Sequence, residues 1–248
     1  METKKLRKFG LIGKNIDYSF SRNYFAEKFA REKRENCQYD NFDCNTIDEV
    51  FTLLKRSDLC GLNITIPYKE KIIPALDKLS PQAEEIGAVN TVLFKNDGTL
   101  EGHNTDAFGF EKSLFDQWTP NTKKALILGT GGASKAIEYV LQKHHIIPQF
   151  VSRQTNDKCF TYADLSARVL KEHLLIINAT PLGTFPRVEE APKINYNQLG
   201  DSHFLYDLIY NPNKTTFMRL GEKQGAKVAN GMQMLIHQAE KAWSLWNA

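Results

Sequence analysis

Between Leu126 and Ser134 the chain reads LILGTGGAS, an apolar run that breaks into a glycine-rich turn and continues as KAIEYVLQKH. Few local sequences leave a backbone so little choice. The apolar run is a buried strand, and the segment after the turn is a helix. The turn between them must be tight and almost free of side chains. Strand, glycine turn and helix make half of a βαβ unit, so this region is committed to a parallel sheet with right-handed crossovers. G-x-G-x-x-S in this setting also fits a dinucleotide-binding fingerprint. Gly129 permits the turn, Gly131 leaves room for a diphosphate, and the helix start offers N–H groups and a positive dipole end. Gly129, Thr130, Gly131, Gly132, Ala133 and Ser134 are therefore the candidate diphosphate residues.

The alternation continues downstream. PQFVSRQ, LLIINAT (Leu174–Thr180), HFLYDLIY (His203–Tyr210) and AKVANG read as further strands, and TTFMRLGEKQG as a helix with a glycine stop. Gln154–His173 leaves room for one strand and one helix, so the sheet should be trimmed at that edge. The second strand ends Val151-Ser152-Arg153, with a guanidinium where NAD enzymes place a carboxylate against the ribose. A guanidinium suits a 2′-phosphate, which favours NADP. Asp157, close by, pulls the other way. The last segment, Met232–Trp246, is a helix with Trp243 and Trp246 on its core side.

The first hundred residues follow another pattern. KFGLIG is a strand. SRNYFAEKFAREK is a helix with Phe25 and Phe29 inward and Ser21 as its N-cap. YDNFDC is a strand, and Thr46–Asp58 a helix with Val50, Leu53 and Leu54 inward. NITIPYK alternates, which predicts a half-buried strand with Ile64, Ile66 and Tyr68 towards a core and Asn63, Thr65 and Lys69 on the other face. A helix is expected over 68–79, another after Ser80-Pro81, and a hairpin around Asn96-Asp97-Gly98. Joined to the glycine-loop region, this gives an α/β chain whose character changes after Asp106, where a helix could link two domains, a number that suits 248 residues.

Bulk properties exclude several classes. A net charge of +3 with no long basic run argues against a nucleic-acid partner; KKLRK at the start is a solvated lead-in. No apolar run approaches the ~18 residues of a membrane span, and the basic start has too short an apolar sequel for a secretory signal. Cys37, Cys44, Cys60 and Cys159 form no C-x-x-C pair and stand near no histidine cluster, which predicts reduced thiols, no metal site and a cytoplasmic location.

With SFS, NITIPYK, AVNT, NTD, GTGGAS, INATPLG, YDLIY and GMQMLIHQA in this order, the chain resembles the shikimate dehydrogenases from about Gly10 to Trp246. The resemblance implies a substrate domain, 1–106 with 226–248, a Rossmann domain for NADP, 107–225, and a last helix that returns to the first domain. It implies reversible reduction of 3-dehydroshikimate to shikimate with NADPH, on the route to chorismate and aromatic amino acids, in a monomer or homodimer. By position, Lys69 and Asp106 become the catalytic pair, with the lysine passing the proton. Ser19, Ser21 and Tyr210 hold the substrate carboxylate. Asn63, Thr65, Asn90 and Gln238 hold ring hydroxyls. Ser152 and Arg153 approach the 2′-phosphate, and Thr180, Ile209 and Gly231 lie near the nicotinamide end. Two motifs depart from the family pattern: Tyr18 and Arg22 flank the serines, and Arg153 is followed by Gln154. An NAD-dependent quinate/shikimate dehydrogenase is the alternative within the enzymes, and a catalytically silent sensor the alternative outside them.

Overall fold

The computed structural model describes residues 5–17, 19–154 and 159–248. Tyr18 and Asp157 lie outside the described residues. The chain forms two compact units, Met1–Thr105 with Ala239–Ala248, and Asp106–Gln238.

The sheet of the first unit contains β1 (Arg7–Gly13), β2 (Cys37–Asp43), β3 (Leu59–Ile64), β4 (Lys78–Leu79), β5 (Thr91–Phe94) and β6 (Leu100–His103), in the order β2-β1-β3-β5-β6-β4. β2 and β3 flank β1 in parallel, while β5 and β6 form the expected antiparallel hairpin, with β5 antiparallel to β3. Side chains of one strand alternate between faces, so each sheet face gathers its own core. One face buries Ile12, Leu62, Ile64 and Val92 with Val50 and Leu54 of α2 (Ile47–Leu54) and with Tyr68 and Ile72. The other buries Phe9 and Leu11 with Phe25 and Phe29 of α1 (Phe20–Arg31) and with Ala239, Ala242, Trp243 and Trp246. Each large apolar side chain buried here contributes roughly 1.5–3 kcal/mol. Gly61 makes room for the last of these: a Cβ there would lie 2.3 Å from the Trp246 indole nitrogen, which donates to Val92 O at 3.1 Å. α3 (Pro81–Ile86) carries Ser80 as N-cap, accepting from Ala83 N.

α4 (Thr105–Phe115) leads into the second unit, whose sheet holds β7 (Lys124–Leu128), β8 (Ile147–Ser152), β9 (Cys159–Thr161), β10 (Leu175–Asn178), β11 (Phe204–Asp207) and β12 (Lys227–Ala229). Its order is β12-β11-β10-β7-β8-β9 and every pairing is parallel. This is the doubly wound sheet expected from the glycine turn, with α5 (Gly132–Lys143), α6 (Ala167–Glu172) and α7 (Thr216–Lys223) as crossovers. β9 begins at Cys159, soon after β8 ends at Ser152, and one helix, α6, follows before β10. β8 and β9 pair in parallel through Phe150–Ser152 and Cys159–Thr161. α8 (Met232–Trp246) closes the chain. Residues 226–238, read from the sequence with the first domain, carry β12 and the start of α8 in the second unit, because Lys227–Ala229 pairs with β11.

Three local expectations are corrected. β3 stops at Ile64, because Tyr68 N donates to Thr65 O at 2.9 Å and closes a turn. The alternation therefore ends early, and Ile66 is 60% exposed while Ile64 and Tyr68 stay buried. Over 68–79 there is no α-helix but a 3₁₀ turn, Ile73–Ala75, followed by β4. Pro74 withholds the N–H a helix needs, and Asp77 N goes instead to Leu100 O at 3.0 Å. The N-cap of α1 is Ser19, which accepts from Ser21 N, so Ser21 lies inside the first turn.

Candidate active site

In the first unit the expected residues gather at the carboxyl ends of β1 and β3, where open α/β sheets present their binding crevice. Ser21, Asn63, Asn90 and Thr105 are all buried there. Asn63 is held from both sides. Its Oδ1 accepts from the Tyr39 hydroxyl at 2.8 Å, and its Nδ2 donates to Thr91 Oγ1 at 3.1 Å and to Asn90 O at 3.3 Å. Asn90 Oδ1 accepts from Thr105 N at 2.6 Å and its Nδ2 donates to Thr105 Oγ1 at 3.0 Å. Burial holds the proton of the Tyr39 hydroxyl well above the usual phenol range. The result is a continuous chain of neutral groups: Tyr39, Asn63, Thr91, Asn90, Thr105. Asn41 Nδ2 donates to Ile16 O, the carbonyl that also takes Ser19 N, and so anchors the turn that delivers Ser19. Thr65 is half-buried, and Lys69 is set beside the same crevice through its carbonyl, which accepts Val89 N at 2.8 Å.

In the second unit the glycine loop shows two different uses of glycine. Gly129 has φ +105°, and a Cβ there would lie 3.1 Å from Ala179 O and Thr180 Cγ2. Backbone conformation and close approach both demand glycine at that position. Gly131 has an ordinary φ of −77°, and a Cβ there would meet nothing within 4 Å. Neither conformation nor packing requires glycine at Gly131; the space it leaves open is the space a diphosphate needs. No side chain caps α5 at this N-cap, and Ser134 turns inward to hydrogen-bond Gly131 O. A dinucleotide diphosphate therefore fits the chemistry of the loop, with backbone N–H groups and the helix dipole turned to an anion.

Behind the loop stands a second network that sequence reading missed. Thr180 N and Oγ1 both donate to Asn178 Oδ1, at 3.1 and 2.7 Å. Asn178 Nδ2 donates to Asp207 Oδ1 at 3.0 Å, which also accepts Ile209 N at 3.0 Å. Asp207 Oδ2 accepts from Thr215 Oγ1 at 2.6 Å. Burial lifts the Asp207 carboxyl to about 6, against the pull of these donors. One carboxylate thus orders the loops after β10 and β11 together, which carry Thr180 and Ile209. Gly231 N donates to Ile209 O, and a Cβ at Gly231 would stand 2.1 Å from Leu208 O, so packing alone demands that glycine. Ser152 accepts from Gln154 N at 3.2 Å, and Arg153 is exposed at the end of β8. Asp106 is buried in the first turn of α4. Gln238 is buried on α8, where Gly109 lets α4 approach, and its Nε2 donates to Leu235 O at 3.0 Å. Tyr210 is half-buried after β11.

Among the described residues no group of His, Cys, Asp and Glu side chains could hold a metal ion, and no helix is long and apolar enough to cross a membrane.

Residues 11–92 match the family model for the shikimate dehydrogenase substrate binding domain. A protein of Caldicellulosiruptor bescii named shikimate dehydrogenase (NADP(+)) is 36% identical, the alignment covering 97% of this chain and 89% of that protein. One of the same name from Methanosphaera stadtmanae is 34% identical over 99% of this chain and 93% of its own length. Among solved structures, the shikimate 5-dehydrogenase of Thermus thermophilus in complex with NADP(H) and shikimate aligns with a TM-score of 0.85 at 30% identity, covering 97% of this chain and 93% of that one. The quinate dehydrogenase of Corynebacterium glutamicum in complex with NAD aligns with a TM-score of 0.86 at 27% identity, covering 98% and 94%.

Proposed function

The chain belongs to the shikimate dehydrogenase family, and on that premise we propose that it reversibly reduces 3-dehydroshikimate to shikimate with NADPH, a step towards chorismate and the aromatic amino acids. The observation that carries this reading is the match along nearly the whole chain to relatives named as NADP-dependent shikimate dehydrogenases. The geometry supports it. The first unit offers a row of hydroxyl and amide groups on rigid strands, suited to a small acid with several ring hydroxyls, and a site that pairs each hydroxyl rejects analogues lacking one. The second unit offers the anion-binding loop.

We assign the dinucleotide to the second unit and the substrate to the residues that follow. Ser19 and Ser21, with Tyr210, hold the carboxylate. Asn63, Thr65, Asn90 and Gln238 act on the ring hydroxyls. Lys69 gives a proton to the developing alkoxide in reduction and takes it back in oxidation, and Asp106 completes the pair. Gly129–Ser134 hold the diphosphate, Ser152 and Arg153 the 2′-phosphate, and Thr180, Ile209 and Gly231 border the nicotinamide end. When bound, NADPH supplies the hydride; the protein supplies position and proton. The same reading carries a cytoplasmic location and a monomer or homodimer.

Steady-state rates with shikimate and quinate, each with NADP and NAD, test the proposal. The shikimate–NADP pair should give the highest kcat/KM. A higher value for quinate with NAD would replace it with the quinate/shikimate reading. Shikimate binding without turnover under either dinucleotide would make the protein a sensor.

A further inference from the structure

Asn178 and Asp207 are absent from every ligand role assigned above, yet the nicotinamide-end residues hang from them. They are the last residues of β10 and β11 and lie opposite each other in the parallel pair. Both are 0% exposed, so neither can touch a dinucleotide itself. A carboxyl lifted to about 6 is ionised at neutral pH and can then only accept hydrogen bonds. It takes Asn178 Nδ2 at 3.0 Å, which leaves Asn178 Oδ1 facing the other way. There Oδ1 accepts from Thr180 N at 3.1 Å and from Thr180 Oγ1 at 2.7 Å. Thr180 Oγ1 in turn accepts from Leu182 N at 3.2 Å and closes the turn after β10. Asp207 Oδ1 also accepts Ile209 N at 3.0 Å, and Oδ2 accepts from Thr215 Oγ1 at 2.6 Å, the hydroxyl that caps α7 through Met218 N. Gly231 joins by donating its N–H to Ile209 O at 3.1 Å.

We propose that Asp207, through the amide of Asn178, is a positioning residue for the nicotinamide half of the dinucleotide alone: one buried carboxylate sets where Thr180, Ile209 and Gly231 stand relative to one another. This inference rests on the shikimate dehydrogenase reading above. What Asp207 supplies is an oxygen placed towards Asn178 and Ile209, not a charge placed towards the ligand. The anion-binding groups of Gly131–Ser134 depend on other contacts. They sit at the start of α5, after a turn in which Gly129 N donates to Val151 O at 2.9 Å, and none of these groups bonds to Asn178 or Asp207. The two halves of the cofactor are therefore held by two separately ordered parts of one sheet edge.

Calorimetry with NADP and with adenosine 2′,5′-bisphosphate, which keeps the 2′-phosphate but lacks the nicotinamide half, separates the two ends. Wild type is measured first, with turnover of shikimate beside it. A wild type that binds no NADP would sink the functional reading and this inference together. NADP binding without turnover would remove the reaction alone, and the affinities of the variants would still decide this inference. Asp207→Ala should weaken NADP at least about tenfold, the size of one hydrogen bond to a charged group, and leave adenosine 2′,5′-bisphosphate within about twofold. A general loss of packing would not spare the second ligand. Asp207→Asn keeps an oxygen for Asn178 and Ile209 and should restore NADP to within about threefold of wild type. Asn178→Ala, which leaves Asp207 its contact with Ile209, should give the Asp207→Ala pattern in weaker form, and it carries the test if Asp207→Ala folds poorly. Equal weakening of both ligands, unchanged NADP affinity in the alanine variants, or Asp207→Asn no better than Asp207→Ala would overturn the proposal while leaving the enzyme's activity as assigned.

Discussion

The two units solve the same problem, holding side chains still at the carboxyl ends of strands, with different chemistry. In the first, five neutral residues from Tyr39 to Thr105 share hydrogen bonds. In the second, a single buried carboxylate, Asp207, collects Asn178, Ile209 and Thr215. The neutral chain needs many members because each group accepts or donates only once or twice. The carboxylate needs few, since two oxygens accept from several donors and bind them more strongly. The difference lies in the cost. Burying hydroxyls and amides that are all paired is nearly neutral, whereas burying Asp207 is opposed by lost hydration, which is why its carboxyl is lifted to about 6. The first network is indifferent to pH near neutrality; the second is not.

The largest effect expected concerns the one charged group assigned to the first crevice. Lys69→Ala should lower kcat by at least ~10², the low end for a general acid or base, with shikimate binding changed little because the neutral row remains. If turnover is unchanged, Lys69 is a solvated side chain and the proton passes elsewhere. Next comes the pH behaviour of Asp207. A carboxyl raised in the folded state stabilises while it stays protonated, so its contribution is full below the unfolded value and is lost as pH rises through about 6. Asp207→Asn should therefore remove a fall in stability of up to about 3 kcal/mol accumulating between roughly pH 4 and 6. Chemical denaturation of both proteins across that window measures it, and parallel curves would remove Asp207 as the source. Tyr39→Phe should leave the slope alone, which is the contrast between the networks in its sharpest form.

This contrast also separates what the sequence made legible from what it hid. The glycine turn was readable because strand, turn and helix each restrict the backbone and the restrictions agree. α8 was readable across Met232–Trp246 because one face repeats apolar residues over four turns. Ser21, Asn63 and Asn90 were located through a resemblance, not from alternation, which placed Ile66 in a core it does not enter. Asp207 and Asn178 carried a signal that went unused. Each is a polar residue ending an apolar strand, FLYD and LLIIN, and a buried polar group must find a partner. That a partner existed was implied; that Asn178 and Asp207, 29 residues apart, were each other's was not. Tyr39 gave still less, since a tyrosine in a strand reads as ordinary core and its role depends on reaching over a neighbouring strand.

The glycines of the loop extend the comparison to a residue whose purpose is empty space. Gly131→Asp places a good capping residue at the N-cap of α5, so helix stability should hold or rise. The same carboxylate fills the open volume and takes the N–H groups a diphosphate would use. NADP affinity should fall at least about tenfold with shikimate affinity intact, both read by calorimetry. Gly129→Ala should do the reverse, destabilising the fold because φ is +105° and Ala179 O is close. Were both substitutions to act alike, the distinction between a ligand's glycine and the fold's glycine would be lost.

The smallest effect belongs to Arg153, exposed after β8 and belonging to neither network. Its guanidinium charge is felt by Tyr162, whose hydroxyl burial pushes up and Arg153 pulls down. An exposed cation that meets a 2′-phosphate gains a charge-assisted hydrogen bond weakened by solvent. Arg153→Ala should therefore raise KM for NADP about three- to tenfold and leave KM for NAD unchanged. Because the charge is exposed, added salt should shrink the difference between wild type and variant, as screening shortens the reach of surface charges to about 10 Å at 0.1 M. The paired carboxylate of Asp207, being buried, should give no such salt response. Equal changes in the two Michaelis constants would mean that Arg153 does not read the phosphate, and the preference for NADP would then rest on the backbone of β8 and on Ser152.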